Sequence, residues 1–124
     1  MTVQVLKLLD FLSISLEMET TSNQNPMESH KLKLFCVDDS IMFLKIMKKT
    51  LENAPYDVVT ECDPQVALNL LSQWAGTKDQ PQLITLDWKM PLFTGLDLLM
   101  WLRRHPAYHL TPVVMVTAEM TESD

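Results

Sequence analysis

Residues 82–95 read QLITLDWKMPLFTG, and the fold turns on how they are divided. Gln82 to Leu86 is an apolar, branched run that predicts a buried strand, and from Gly95 to Arg104 the apolar residues recur at helical spacing. Between them lies a loop that opens on Asp87 and carries Met90-Pro91. The same alternation extends in both directions. Upstream, Leu32 to Val37 predicts a strand, and Ser40 to Glu52 predicts a helix with Ile41, Leu44, Met47 and Leu51 on one face. Tyr56 to Glu61 predicts a second strand, followed by a helix that Asp63-Pro64 caps and that runs to Trp74, closed by Gly76. Downstream, Pro112 to Val116 predicts a fourth strand. Strands that alternate with helices require right-handed crossovers, so the expected class is α/β, a doubly wound parallel sheet with helices on both faces, here of four strands and three helices.

The 124 residues suffice for one domain with a real core and are too few for two of ordinary size. Apolar residues make up 47% and charged residues 21%, with only seven prolines and two glycines, which excludes disorder throughout. A formal charge of −6 repels nucleic-acid phosphates and anionic lipid, so neither nucleic acid nor membrane is an expected partner. No apolar stretch approaches the roughly 18 uncharged residues that span a bilayer, and Val3 to Leu16 makes a poor signal peptide; a cytoplasmic protein is expected. Cys36 and Cys62 lack metal-ligand or CxxC spacing and are expected to be buried free thiols. The polar run ETTSNQNPMESH, Glu19 to His30, predicts a linker, which divides the chain into an extension at 1–30 and a folded domain at 31–124. Within the extension, Val5, Leu6, Leu8, Leu9, Leu12 and Leu16 suit a short amphipathic helix, while an over-extended reading frame with Met27 as the true start is the alternative.

In open sheets of this class, ligands sit at the carboxyl ends of the strands, near the point where strand order reverses. Asp38 and Asp39 stand at the end of the first strand, Asp87 at the end of the third and Thr117 at the end of the fourth. Three crowded carboxylates raise one another's pKa unless a cation neutralises them. A hard divalent ion does so: Mg2+ takes a few carboxylate oxygens, keeps several waters and bridges to phosphoryl oxygens. Acidic residues after strands also cap the following helix, a role open to Asp39 or Ser40. Capping does not account for Asp38-Asp39, Asp87, Met90-Pro91, Gly95 and Thr117-Ala118 together at the ends of different strands. The histidines at 30, 105 and 109 do not join this cluster. Trp74 and Trp101 are expected to pack from helices, and Trp88 neighbours the site.

The strings VDDS, LDWKMPLFTG and PVVMVTAE resemble the three signature segments of response-regulator receiver domains, most nearly the single-domain chemotaxis type. The resemblance spans Lys31 to Asp124 and implies a flavodoxin-like receiver fold; it also supplies the strand order 2-1-3-4-5, which the alternation of elements does not. It implies that Asp87 is the phosphoacceptor, served by a sensor histidine kinase or phosphotransfer protein in a two-component phosphorelay. Asp39, Asp87 and the backbone carbonyl of Lys89 would bind Mg2+, or Mn2+ in its place, with Asp38 acting through the ion's waters. Thr117 would hydrogen-bond the phosphoryl group, Ala118 would leave it room, and Pro91 and Gly95 would shape the loop. Such a domain is a phosphoacceptor and not an enzyme in its own right.

The family pattern continues with a helix, a fifth strand bearing a lysine and a final helix, whereas this chain stops at Asp124. The expectation is therefore a receiver fold incomplete at its C-terminus, as a fragment, as a truncated product, or completed by another chain. The missing lysine weakens stabilisation of transition-state charge, and Lys89, two residues after the acceptor, suits modulation better than replacement. An apolar edge at Val113 to Val116 would favour self-association. Two function classes stay open: a phosphoacceptor, and a phosphorylation-independent interaction module or inactive remnant.

Overall fold

Strands of four to six residues alternate with helices of ten or eleven along residues 31–116, the part of the chain that the computed structural model describes. In order they are β1 (Leu32–Val37), α1 (Ile41–Thr50), β2 (Tyr56–Glu61), α2 (Pro64–Trp74), β3 (Leu83–Asp87), α3 (Gly95–Arg104) and β4 (Val113–Val116). The four strands form one parallel sheet in the order β2-β1-β3-β4, as the resemblance implied for the first four places. Order reverses between β1 and β3. The extension, including its expected helix, lies outside the described residues, as do Thr117 and Ala118.

Local chemistry sets the helix ends. The Asp63 carboxylate accepts from the N–H groups of Gln65 (2.8 Å) and Val66 (3.4 Å) with Pro64 in the first helical position, so α2 starts where the sequence predicted. Gly76, at φ 74°, takes the left-handed conformation that ends it. At α3, Thr94 and Asp97 bond reciprocally as a capping box, and Arg103 and Arg104 oppose the negative end of the helix dipole.

Alternation along β1 divides the core. Leu34 and Cys36 face α1, packing with Phe43, Leu44, Met47 and Leu51. Phe35 and Val37 face the other side, where Ala67 and Leu71 of α2 and Leu98 and Leu102 of α3 enclose them with Ile84 and Leu86. Both central strands are thus largely apolar and buried on both faces, as a parallel sheet covered on two sides requires, with Thr85 a buried polar exception. Phe43 takes the core place predicted for Ile41, which is 57% exposed in the first turn of α1, at the strand-end rim. β4 is only half-buried over Val113 to Met115 because, among the described residues, it pairs with β3 alone. Cys36 is buried, and burial pushes its thiol up to about 11. Cys62 is exposed, contrary to expectation, because it falls one residue beyond β2.

Tyr108 carried no sequence signal and proves to be the largest fully buried side chain. Its hydroxyl donates to the Leu71 carbonyl at 2.6 Å, and its ring packs near Trp101 and His105. The surrounding connection is held by its own carbonyls: Arg103 Nη1 donates to Tyr108, His109 and Thr111, and Gln80 Nε2 to Ala107. Tyr108→Phe should therefore destabilise the chain by about 1–2 kcal/mol, and Tyr108→Ala by about 3–5 kcal/mol. Urea unfolding measures both; a neutral Tyr108→Ala would show that the connection does not contribute to the core.

Candidate functional site at the strand ends

Strand register assembles the site. Val37 of β1 pairs with Leu86 of β3, so the residues that follow them, Asp38 and Asp87, stand side by side at the carboxyl ends of the two strands. Asp87 in turn stands opposite Val116, the last described residue, whose carbonyl accepts the Trp88 N–H at 2.9 Å. Asp38 donates its N–H to the Glu61 carbonyl, which prolongs the β1–β2 pairing by one bond. Oxygens of Asp38, Asp39 and Asp87 all lie within 4.8 Å of one another. Sequence reasoning put these three carboxylates on one rim, and the structure brings them together.

Ser40, not Asp39, caps α1: its Oγ accepts the Phe43 N–H at 3.2 Å. Asp39 is thereby left exposed at the rim with no capping duty. Asp38 is 6% exposed and accepts the Ser40 N–H at 2.8 Å, so it also shapes the turn into α1. Asp87 is 7% exposed, and its Oδ1 accepts the Lys89 N–H at 3.2 Å.

Burial and crowding act on these carboxyls together. Burial is the largest cause pushing Asp87 up to about 7, followed by a proton-sharing contact with Asp39 and the charge of Asp38; the Lys89 N–H pulls the other way. Asp38 is also raised, first by burial, against the pull of the Ser40 N–H. Two nearly buried carboxyls and a third beside them supply only hard oxygen donors. Opposed ligands of an octahedral Mg2+ stand about 4.2 Å apart, so the donor set and its spread suit such an ion after small side-chain rotations.

The loop from Trp88 to Thr94 differs in detail from its prediction. Gly95 does not have positive φ; an added Cβ would collide with the Asp87 carbonyl oxygen and lie 3.0 Å from the Met115 methyl. Its small size lets α3 start directly against the end of β3. The tight turn falls instead on exposed Leu92, at φ 68°, where the Phe93 N–H donates to the Pro91 carbonyl at 2.7 Å across a γ-turn of the strained hand. Only a glycine or asparagine there would have signalled it. His105 caps the far end of α3, about 15 Å along the helix from Gly95, and His109 lies in the connection beyond it. Trp74 packs edge-on against Phe35, and Trp88 is 43% exposed beside the site.

The family model for the response regulator receiver domain matches residues 34–124. A chemotaxis protein CheY homolog of Campylobacter jejuni is 39% identical over 89 residues, 71% of this chain and 65% of that protein. A protein-glutamate methylesterase/protein-glutamine glutaminase of Chromohalobacter salexigens is 37% identical over 94 residues, which is 74% of this chain and 24% of that one. The chain therefore spans about a quarter of the length of one relative and just under two thirds of the other. The crystal structure of the phosphorylated cyanobacterial phytochrome response regulator RcpA superposes with TM-score 0.65 at 29% identity, covering 73% of this chain and 68% of that one.

The raised carboxyls fix the sign of the pH dependence without metal. Below about pH 4 folded and unfolded chains both hold the Asp87 proton; between about 4 and 7 only the folded chain does, so stability should fall as pH rises through that window and level off above it. Asp87→Asn should flatten the slope in chelator-treated protein, read by urea midpoints at about pH 5 and pH 8. A midpoint that rises with pH in the wild type would contradict the crowding. In the loop, Gly95→Ala should destabilise by about 1–3 kcal/mol, whereas Leu92→Asn should stabilise by about 0.5–1 kcal/mol by accepting the left-handed turn. The same midpoints test both, and a harmless Gly95→Ala would refute the close approach to Asp87.

Proposed function

This chain belongs to the response regulator receiver domain family, and we propose that it accepts a phosphoryl group on Asp87 from the phosphohistidine of a sensor kinase or phosphotransfer protein. Its place is in two-component signalling. The observation that carries the proposal is the register that sets Asp87 beside Asp38 with Asp39 in reach. That RcpA is known in a phosphorylated form supports the same reading for this chain.

In the proposed reaction an Asp87 carboxylate oxygen forms a bond to phosphorus while the bond from phosphorus to the donor's imidazole nitrogen breaks. The electron pair leaves with the imidazole, which takes up a proton from solvent. The Lys89 N–H on Oδ1 holds the nucleophile's orientation, and close packing of Gly95 against the Asp87 backbone anchors it. Asp39, Asp87 and the Lys89 carbonyl would hold Mg2+ or Mn2+, with Asp38 reaching it through water. The ion supplies charge neutralisation for the carboxylates and the incoming phosphoryl oxygens. Thr117 would donate its hydroxyl to a phosphoryl oxygen, Ala118 would leave space for it, and Pro91 would stiffen the loop.

The esterase named for the longer relative belongs to a protein of which this chain matches about a quarter, and the role proposed here is that of a signalling domain. A cytoplasmic setting fits the proposed partners; among the described residues no helix is long and apolar enough to cross a membrane. The 124-residue polypeptide by itself should also self-associate, because β4 pairs on one side alone among the described residues.

Incubated with acetyl phosphate and Mg2+, the chain should gain one phosphoryl group, seen by intact mass, and chelator or Asp87→Asn should abolish the gain. Titration with Mg2+ should change Trp88 fluorescence, and Asp39→Ala should remove that change. Undiminished modification of Asp87→Asn would rule out the acceptor; an unaltered titration of Asp39→Ala would rule out the ligand set.

A further inference from the structure

α3 carries two apolar stripes, and only one is covered by the rest of the domain. Leu98 and Leu102 are wholly buried against the sheet. Leu96 and Met100, one turn apart on the outer side, are 42% and 44% exposed. A single exposed apolar residue needs no explanation, but these two do not stand alone. Leu92 before the helix and Leu110 beyond it are almost entirely exposed. At about 100° per residue, Leu96 lies about 40° to one side of Met100, while exposed Asp97 and Arg104 lie about 60° and 40° to the other. Along the axis Asp97 precedes Met100 by about 4.5 Å and Arg104 follows it by about 6 Å. The outer face therefore has an apolar centre and one charged flank, with opposite signs at nearly equal distances on either side of Met100.

We propose that two copies of this chain pair through the outer face of α3, antiparallel, about a two-fold axis at Met100. Such an axis reverses height along the helix and keeps the charged flank on the same side. Arg104 of each copy then stands level, to about 1.5 Å, with Asp97 of the other, and symmetry makes the contact twice. Asp97 uses Oδ2 in its capping box, which leaves Oδ1 for the guanidinium. A parallel pairing would set Asp97 level with Asp97 and align the two helix dipoles, and both effects disfavour it. Antiparallel pairing also brings the start of each helix, with Leu92, towards the end of the other, with Leu110. A contact along about 15 Å of helix is smaller than the roughly 800 Å2 per partner of a stable interface, so the dimer is weak, with a Kd on the order of tens of micromolar. It uses side chains of α3 and not the backbone edge of β4.

Sedimentation equilibrium of the full chain tests the pairing. Wild type should show a monomer–dimer equilibrium, and Met100→Lys should raise its Kd by about tenfold or more, since a charge then meets its own copy at the axis. Arg104→Glu should raise it about tenfold, because two contacts between opposite charges become contacts between like charges. Adding Asp97→Lys to Arg104→Glu should restore most of the lost affinity. In a Cys62→Ser background, Met100→Cys should oxidise to a disulfide-linked dimer. Met100 and Arg104 are exposed, so these substitutions leave the core intact. A wild type that stays monomeric at about ten times the expected Kd would overturn the proposal. Association undiminished by Met100→Lys would overturn it too, and would assign self-association to the edge of β4. Failure of the charge exchange to restore affinity would contradict the antiparallel register and the proposal with it.

Discussion

Three carboxylates that repel one another are held together by the pairing of two strands. Because β1 and β3 are neighbours in register, the sheet cannot form without bringing Asp38 against Asp87, and the turn into α1 adds Asp39. Hydrophobic burial of Leu34 to Val37 and Leu83 to Leu86 drives that pairing and overrides the repulsion. Burial first, and the neighbouring carboxylates after it, raise Asp87 and Asp38 at the rim and favour whatever brings positive charge. The crowded carboxylate rim is thus a consequence of how the core is built.

The surroundings keep that crowded carboxylate in place. Gly95 allows α3 to begin against the backbone of Asp87, and the capping box of Thr94 and Asp97 fixes where the helix starts. The intervening loop then has little room, and Leu92 takes the left-handed turn that results. A strained residue beside a functional group is stable only where its neighbours overdetermine the backbone, as the two ends of this loop do.

Most of this was legible in the chain. The strands and helices announced themselves because both central strands are predominantly apolar on both faces and the first two helices carry a capping residue at their start. The rim was legible because strand ends are where open α/β sheets place chemistry, and three aspartates fell there. Other features were not. Phe43 and Ile41 fit the helical period equally, and only the position of the rim leaves Ile41 exposed. Tyr108 sits in a connection without periodicity, and its role depends on a carbonyl 37 residues away. The positive φ at Leu92 lacks the usual glycine or asparagine, and the reason for Gly95 is a contact across space that no local pattern encodes.

The location of the phosphoryl group is the most direct test of this account. Reduction of the modified chain with borohydride converts an acyl-phosphorylated aspartate to homoserine, which peptide fragmentation then locates. Conversion at Asp87, with Asp38 and Asp39 intact, is the predicted result. Homoserine at Asp38 or Asp39, or a phosphoryl group that survives reduction on a hydroxyl side chain, would contradict it.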